Sequence, residues 1–215
     1  MKIVFATANQ GKLREAQEIL GEDFELVTPA DLGITEDIPE TGDTLEKNSL
    51  QKAEYVHSRK GCDCFADDTG LEVDILGGAP GVHTARYAGP SKDFGENMDK
   101  LLREMEKAGC EASMARERGI ATPRATRRAR FRSVVTLILD GKAHVFEGRM
   151  EGKIALRKSG SGGFGYDPVF IPDEYPGLTA ADITEAQKNA ISHRGRALRA
   201  MAAWLAGQKV SGQSV

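Results

Sequence analysis

The first twenty residues place a small polar turn between a short apolar run and a helix-like pattern. The apolar run covers residues 3–6, the turn contains Asn9, Gly11 and Lys12, and apolar residues then recur at helical spacing. A strand that leads into a helix N-terminus presents backbone N–H groups and the positive end of the helix dipole, which suits a phosphate. Lys12 would add a point charge, and Thr7 and Asn9 would add hydrogen bonds. The GxxxxGK[ST] pattern of a Walker A loop is absent, and a simple capped turn with a surface lysine would also explain the stretch.

The composition is ordinary for a soluble globular protein. Of the 215 residues, 40% are hydrophobic and 28% are charged, and the net charge of −3 gives no general reason to expect nucleic acid or an anionic membrane as a partner. The length suits one domain or two closely joined lobes, and the longest apolar runs are too short to cross a membrane. The three cysteines (Cys62, Cys64 and Cys110) form no CxxC pair, so we expect a reducing, cytoplasmic location.

Strand and helix patterns alternate in the first part of the chain, and hairpins follow later. This order predicts an α/β fold with a mixed sheet flanked by helices. The periodicity predicts strands at residues 2–7, 24–27, 131–139, 143–146 and 168–171, and helices at residues 11–20, 43–59 and 93–107 and at the C-terminus. We expect Asp43 to cap the second helix and Asp140-Gly141 to form a hairpin turn. Segments 71–83 and 109–128 are predicted to be loops.

The sequence FADDTG, residues 65–70, places two adjacent carboxylates after a predicted strand. Ligands of α/β proteins bind at the carboxyl ends of strands, so a functional site is expected here. Successive strand residues face opposite ways, so one of Asp67 and Asp68 can hold Mg²⁺ or activate a water while the other braces the loop. Mg²⁺ takes one or two carboxylates plus substrate phosphates, and Glu40 is a candidate second ligand. Asp-Asp-Thr-Gly is also good turn chemistry, so a purely structural turn is the alternative.

The glycine-rich stretch GSGGFGYDP, residues 160–168, contains G-x-G-x-x-G by letter. It is not a dinucleotide fingerprint, because Pro168 stands where a helix would have to follow. We interpret it as a loop that presents Phe164, Tyr166 and Asp167, with Phe164 able to stack on a base. A hairpin with a core aromatic residue is the alternative.

The stretch KNAISHRG, residues 188–195, gathers Lys188, His193 and Arg194 near the start of the last predicted helix. We expect these three polar groups to point toward one rim, with Ala190 and Ile191 packed inward. A solvated helix face would explain the same residues. The histidines elsewhere in the chain lack the spacing of a zinc site.

An arginine-rich segment could form a nucleic-acid patch. Its members are Arg116, Arg118, Arg124, Arg127, Arg128, Arg130 and Arg132. No aromatic residues are interleaved with them and the whole chain is slightly acidic, so a solvated or disordered loop is the preferred interpretation.

In this order, the motifs resemble the inosine triphosphate pyrophosphatase family. They are TANQGK, ETGDTLEKNSLQKA, FADDTGLEVDILGGAPGVHTARYAG, GGFGYDPVF and KNAISHRGRAL, and the resemblance runs from Lys2 to about Leu205. It implies an elongated, two-lobed α/β fold with a long mixed sheet, a central cleft and homodimerisation. It also implies one catalytic domain over residues 1–207, with a basic loop insert at 109–128 and a flexible tail at 208–215.

The resemblance implies an activity and a set of site residues. Family members hydrolyse ITP, dITP and XTP to the monophosphate and pyrophosphate with Mg²⁺, which keeps deaminated purines out of DNA and RNA. By motif, Asp68 is the catalytic carboxylate and, with Glu40, a ligand of one Mg²⁺ per subunit. The implied substrate-binding residues are Thr7, Ala8, Asn9, Gln10, Gly11 and Lys12 in the triphosphate loop, Thr69 after the aspartates, Phe164, Gly165, Tyr166 and Asp167 in the nucleoside loop, and Lys188, His193 and Arg194 closing the pocket. Thr69 departs from the serine usual in bacterial members, and segment 109–128 is longer and more basic than the usual linker.

The chemistry of this site follows from charge and positioning. Asp68 is suited to orient or deprotonate a water that attacks the α-phosphorus, while Lys12 and the helix-end N–H groups hold the pyrophosphate. A donor from Arg194, His193 or a backbone N–H aimed at position 6 would accept a 6-keto purine and oppose the amino group of adenine. Two alternatives are a Maf-like pyrophosphatase acting on pyrimidine or modified nucleotides, and an RNA- or DNA-binding protein; no nucleic-acid or membrane partner is expected.

Overall fold

The computed structural model describes residues 1–118 and 126–210, which form two compact units. Unit 1 comprises Met1–Thr69, Ser133–Arg149 and the chain from Ser192 onward. Unit 2 comprises Gly70–Arg132 and Met150–Ile191. Three strands of the sheet pass from one unit into the other along the chain. No helix in the described ranges is long and apolar enough to cross a membrane.

Within the described residues, seven strands form one mixed sheet with helices packed against it, which confirms the expected α/β class. The strands are β1 (Lys2–Phe5), β2 (Glu25–Val27), β3 (Cys64–Val73), β4 (Pro80–Gly81), β5 (Arg128–Leu139), β6 (Lys142–Ile154) and β7 (Phe170–Pro172). The helices are α1 (Gln10–Leu20), α2 (Leu45–Lys60), α3 (Phe94–Glu117), α4 (Glu185–Ile191) and α5 (His193–Val210). Hydrogen-bonded neighbours follow the order β2-β1-β3-β5-β6-β7, with β4 paired to β3. Strand β1 is parallel to both β2 and β3, whereas β7 is antiparallel to β6.

In unit 1, both faces of β1 are covered. Ile3 and Phe5 pack with residues of α1 and α5, and Val4 packs on the other face with Ala53 and Val56 of α2. This alternation explains why the strand reads as a continuous apolar run, as is usual for parallel strands buried on both sides. Strand β1 ends at Phe5, whereas its neighbour β3 continues to Val73, so Asp67 and Asp68 lie within β3 and not after a strand as the sequence predicted.

In unit 2, the second half of β3 packs against α3. Leu71 and Val73 lie in a cluster with Leu101 and Met105 of this helix, and Phe131 and Phe170 contact each other at a centroid distance of 4.8 Å. Burying such side chains stabilises each by about 1.5–3 kcal/mol relative to leaving it exposed. The loops between these elements carry the glycine-rich stretch.

Several boundaries differ from the sequence predictions. Thr44, not Asp43, caps α2, because its hydroxyl accepts a hydrogen bond from the Lys47 N–H at 3.2 Å. The prediction of a loop over residues 71–83 is wrong at its start, since β3 continues to Val73.

The segment 109–128 was predicted to be a loop, and that prediction is wrong for much of its described part. Helix α3 continues to Glu117, and β5 already begins at Arg128. Residues 119–125, which include Arg124 of the arginine-rich segment, lie outside the described residues. The tail predicted at 208–215 is helical up to Val210.

Candidate functional site

The polar turn after β1 closes on itself through its own side chains. Asn9 is the N-cap of α1, and its Oδ1 accepts hydrogen bonds from the N–H groups of Gly11 at 2.9 Å and Lys12 at 3.1 Å. The Asn9 N–H donates to the Thr7 hydroxyl at 3.1 Å. Thr7 and Asn9 thus set the shape of the turn, while Ala8 and the positive end of the α1 dipole face solvent.

Lys12 extends from α1 toward β3 and binds the first of the paired aspartates. Its Nζ lies 2.9 Å from Asp67 Oδ1, and the Asp67 side chain is only 1% exposed. Arg194 Nε donates to the other oxygen, Oδ2, at 3.0 Å, and the Thr69 hydroxyl is 3.4 Å from the same atom. Burial alone would raise the pKa of Asp67, but the charges of Lys12, Arg194 and Lys52 outweigh it and hold the pKa well below its usual range. Asp67 is therefore a permanently ionised anchor, which agrees with the bracing task expected for one of the pair.

Asp68 has different partners on α2. Its Oδ1 lies 3.3 Å from Lys52 Nζ, and its Oδ2 accepts a hydrogen bond from Asn48 Nδ2 at 3.1 Å. Burial raises the pKa of the Asp68 carboxyl above its usual value, against the opposing charge of Lys52. A carboxylate whose proton affinity is increased in this way is suited to accept a proton from water.

Glu40 joins this group through Lys52. Lys52 Nζ donates to Glu40 Oε1 at 2.5 Å, so one ammonium group bridges Glu40 and Asp68. Burial opposes ionisation of Glu40, but Lys52 outweighs it and the pKa of Glu40 is lowered. Glu40 and Asp68 thus share one ammonium partner in unit 1, and the role of Glu40 as a second metal ligand stays a prediction.

The two carboxylates fit a divalent cation of the Mg²⁺ type. Both already converge on a positive charge, and carboxylate oxygens are the ligands that this ion prefers. No cluster of three or more His, Cys, Asp or Glu side chains that could hold a metal occurs within residues 1–118 and 126–210. With two protein carboxylates, a Mg²⁺ ion would usually take its other ligands from substrate phosphates and water.

Helix α5 begins with two of the predicted pocket residues. His193 and Arg194 are 7% and 2% exposed, so they are buried in unit 1 rather than displayed on a rim. Besides Asp67, Arg194 binds Glu15 of α1 through Nη1. Lys188, which was expected to point toward the same rim, belongs to α4 in unit 2.

The nucleoside loop predicted at residues 164–167 is organised by Asp167. Its Oδ2 accepts hydrogen bonds from the Phe164 N–H at 2.7 Å and from Lys188 Nζ at 2.6 Å. Lys188 Nζ also lies 4.6 Å from the centroid of the Phe164 ring. Phe164 is 47% exposed, whereas Tyr166 is buried and donates its hydroxyl to the Thr84 carbonyl at 3.0 Å. The loop therefore presents Phe164 to solvent, and the interpretation that it also presents Tyr166 and Asp167 is wrong, because both are buried.

Gly163 and Gly165 give this loop its shape. Both have positive φ angles, +71° and +65°, which side chains other than glycine rarely adopt. A Cβ at Gly163 would also lie 2.1 Å from Asp167 Oδ2. Gly165, which was predicted to bind substrate, thus sits at the turn that exposes Phe164.

Much of the arginine-rich segment is bonded within the sheet of unit 2. Arg127 donates to the carbonyls of Ile154 and Ala155. Arg128, Arg130 and Arg132 pair with acidic side chains, namely Asp173, Asp74, Glu151 and Glu72. The preferred interpretation of a loop is wrong for Arg128, Arg130 and Arg132, which lie in β5.

Sequence reasoning missed Asn48, Lys52 and Glu15. Asn48 and Lys52 are four residues apart, a spacing that places them on one face of α2. That spacing could have singled them out in ETGDTLEKNSLQKA, but it does not say which face meets Asp68. Glu15 carries no local signal, because its partner Arg194 is 179 positions away.

The Ham1 family model matches residues 3–204 of the chain. A protein of Flavobacterium johnsoniae named dITP/XTP pyrophosphatase is 44% identical over 93% of this chain and 95% of its own length. A protein of Porphyromonas gingivalis with the same name is 49% identical over 92% of this chain and 93% of its own. Among solved structures, the Staphylococcus aureus Ham1 protein is similar with a TM-score of 0.81 at 35% identity, over 97% of this chain and 100% of that one.

Proposed function

The chain belongs to the Ham1 family, and we propose that it hydrolyses non-standard purine nucleoside triphosphates to the monophosphate and pyrophosphate. The protein is a nucleoside triphosphate pyrophosphatase. The substrates proposed are dITP, XTP and ITP. The match to the Ham1 family disfavours the Maf-like alternative. A homodimer, a cytoplasmic location and the implied domain boundaries stay predictions.

The observation that carries this proposal is the division of labour between Asp67 and Asp68. Hydrolysis between the α- and β-phosphates needs both a group that accepts a proton from water and fixed positive charge for the departing pyrophosphate. Asp68 has the raised pKa suited to the first task, and Asp67 holds Lys12 beside the turn that would receive phosphates. Relatives that are 44% identical or more and carry the name dITP/XTP pyrophosphatase support the same chemistry.

The N-terminus of α1 is proposed to bind the triphosphate. Lys12 supplies a positive charge on a side chain that is 19% exposed, so it reaches solvent while bound to Asp67. The α1 dipole adds to this field at the residues Gln10 and Gly11. Both features stabilise negative charge that develops on the leaving pyrophosphate.

A Mg²⁺ ion would be held by Glu40 and Asp68. When bound, it neutralises phosphate charge and polarises the bond that is broken. Lys52 places a positive charge between the same two carboxylates and keeps them together before substrate arrives. Asp68 orients a water molecule, takes its proton and so directs the oxygen to the α-phosphorus.

The base is proposed to stack on Phe164. This ring is exposed, and Asp167 and Lys188 fix the backbone and one neighbouring charge beside it. Stacking alone tolerates every base, so choice of a 6-keto purine needs a hydrogen-bond donor. That Arg194, His193 or a backbone N–H provides this donor stays a prediction.

The test measures pyrophosphate and orthophosphate separately. Wild type, Asp68→Asn and the matched control Asp23→Asn, an exposed aspartate of unit 1, are given dITP, XTP, ITP, GTP and ATP with Mg²⁺ or EDTA. We expect pyrophosphate from dITP, XTP and ITP with wild type and the control, and loss of release with EDTA or in Asp68→Asn. Release of orthophosphate, or equal use of ATP, would overturn the proposal.

A further inference from the structure

Helix α2 contacts the catalytic carboxylate with two side chains, and only one of them is charged. Lys52 binds Asp68 Oδ1, and Asn48 binds Asp68 Oδ2 one helical turn earlier. Asn48 is 1% exposed, so its amide is removed from water and needs partners inside the protein.

The other end of the Asn48 amide holds the loop that carries Glu40. Asn48 Oδ1 accepts a hydrogen bond from the Gly42 N–H at 2.8 Å. The loop lies close against α2, since a Cβ on Gly42 would come within 2.7 Å of Lys47 Cβ and 2.8 Å of Asn48 Oδ1. Glycine is thus required at residue 42 by the closeness of this approach.

These contacts fix the orientation of the amide. A backbone N–H can only donate and an ionised carboxylate can only accept, so oxygen must face Gly42 and nitrogen must face Asp68. Aspartate at residue 48 would keep the acceptor and lose the donor, and leucine would keep the approximate size and lose both. Asparagine is the side chain of this length that serves both neighbours at once.

We propose that Asn48 is a positioning residue which locks the Asp68 carboxylate and the 40–42 loop into one geometry for the reaction. It acts through Asp68 and touches neither the reacting water nor the phosphates. The two oxygens of Asp68 are held at different points of α2, so the carboxylate cannot rotate while Asn48 stays in place. This inference rests on the proposed function and adds a residue that its catalytic machinery depends on.

A matched control lies next to Asn48 on the same helix. Ser49 is completely buried and hydrogen-bonded, to Thr136 Oγ1 at 2.7 Å and to the Glu46 carbonyl. None of these contacts involves Asp68 or the 40–42 loop. Ser49→Ala therefore reports the cost of removing a buried polar contact from α2 without disturbing the proposed lock.

The first measurement is steady-state pyrophosphate release from dITP by wild type, Asn48→Asp, Asn48→Leu and Ser49→Ala, normalised to folded protein. We expect kcat to fall about 10- to 100-fold in both Asn48 variants with KM changed less than about threefold, since outer contacts that orient catalytic ligands have effects of this size. Ser49→Ala should keep the wild-type kcat. Equal kcat values in all four proteins would overturn the proposal, as would a loss confined to KM.

A second measurement needs neither substrate nor metal. Hydrogen exchange of the Gly42 amide should be slow in wild type, Ser49→Ala and Asn48→Asp, and faster by about tenfold or more in Asn48→Leu, which has lost the acceptor. Unchanged exchange in Asn48→Leu would overturn the lock even if that variant were inactive. If wild type itself released no pyrophosphate from dITP, the proposed function would fail, whereas the exchange result would still decide whether Asn48 holds the loop.

Discussion

Asp67 and Asp68 are neighbours in β3, yet they bind different cationic side chains. Asp67 pairs with Lys12 of α1 and Arg194 of α5, whereas Asp68 pairs with Lys52 of α2. The alternation of side chains along a strand separates them. The result is one carboxylate with a lowered pKa and one with a raised pKa within two consecutive residues. Environments that shift the pKa values of two neighbouring titratable groups in opposite directions are typical of sites where the groups have distinct acid–base tasks.

Replacing Asp67 should mainly affect stability. Asp67→Asn leaves Lys12 without its carboxylate partner and Arg194 with Glu15 alone, and breaking a buried pair typically costs about 3–5 kcal/mol. We expect a loss of this size in the free energy of unfolding, measured by urea titration. Asp68→Asn should lose activity, but its free energy of unfolding should change by less than about 1 kcal/mol. The reason is that burial already opposes ionisation of the Asp68 carboxyl. Equal stability losses in the two variants would contradict this division.

Gly148 should tolerate no side chain. A Cβ there would lie 2.0 Å from the His193 carbonyl oxygen and 2.6 Å from the Ala197 nitrogen, so α5 would have to move away from β6. We expect Gly148→Ala to lower the free energy of unfolding by about 3 kcal/mol or more. Gly207→Ala is the control: it lies in α5, where an added Cβ would meet no neighbouring group within 4 Å, and it should stabilise by about 0.5–1 kcal/mol. Similar effects at the two glycines would show that the contact between α5 and β6 relaxes easily.

Local sequence patterns predict the start of unit 1 because β1 and α1 are short and carry a clear apolar pattern. The strand, turn and helix at the start of the chain are confirmed, apart from boundaries shifted by one or two residues. The last turns of α3 were missed because segment 109–117 has few apolar anchors, although its alanines, glutamates and methionine favour a helix. Local propensity outweighs the weak hydrophobic pattern there.

The candidate site was only partly accessible from the sequence. Motif order placed Lys12, Asp68 and Glu40 together, but it did not show that Lys52 joins the two carboxylates. Partners such as Glu15 and Arg194 meet only when α1 and α5 pack on the same face of the sheet. Long-range pairs of this kind depend on tertiary packing, which no local pattern encodes.

Phe164 should contribute to binding of the base. Phe164→Ala removes the proposed stacking surface, and stacking on an aromatic residue contributes about 1–3 kcal/mol per base, so we expect KM for dITP to rise by roughly 5- to 150-fold. Phe94→Ala is a matched control, because Phe94 is 48% exposed and its ring centroid lies 6.5 Å from that of Phe164. Equal KM increases would mean that the two rings form one surface, and no increase in either would exclude stacking on Phe164.

Cys64 should make the protein less stable at alkaline pH. The thiol is fully buried, and burial raises its pKa from the usual value of 9.0 to about 12. Between these pH values the unfolded chain releases the proton while the folded protein keeps it, so the unfolded state binds fewer protons and the free energy of unfolding falls as pH rises. The slope from this one group is at most about 1.4 kcal/mol per pH unit.

Urea titrations at pH 8, 9, 10 and 10.5 test this linkage. Cys64→Ala removes the titrating group, so its stability should decline less steeply with pH than that of wild type, whatever constant loss the shortened side chain causes. Cys110→Ala is the control, because Cys110 is exposed and its removal should leave the wild-type slope unchanged. Parallel curves for wild type and Cys64→Ala would show that the buried thiol does not resist ionisation. A steeper decline in Cys64→Ala would reverse the sign of the linkage and contradict the burial of this thiol.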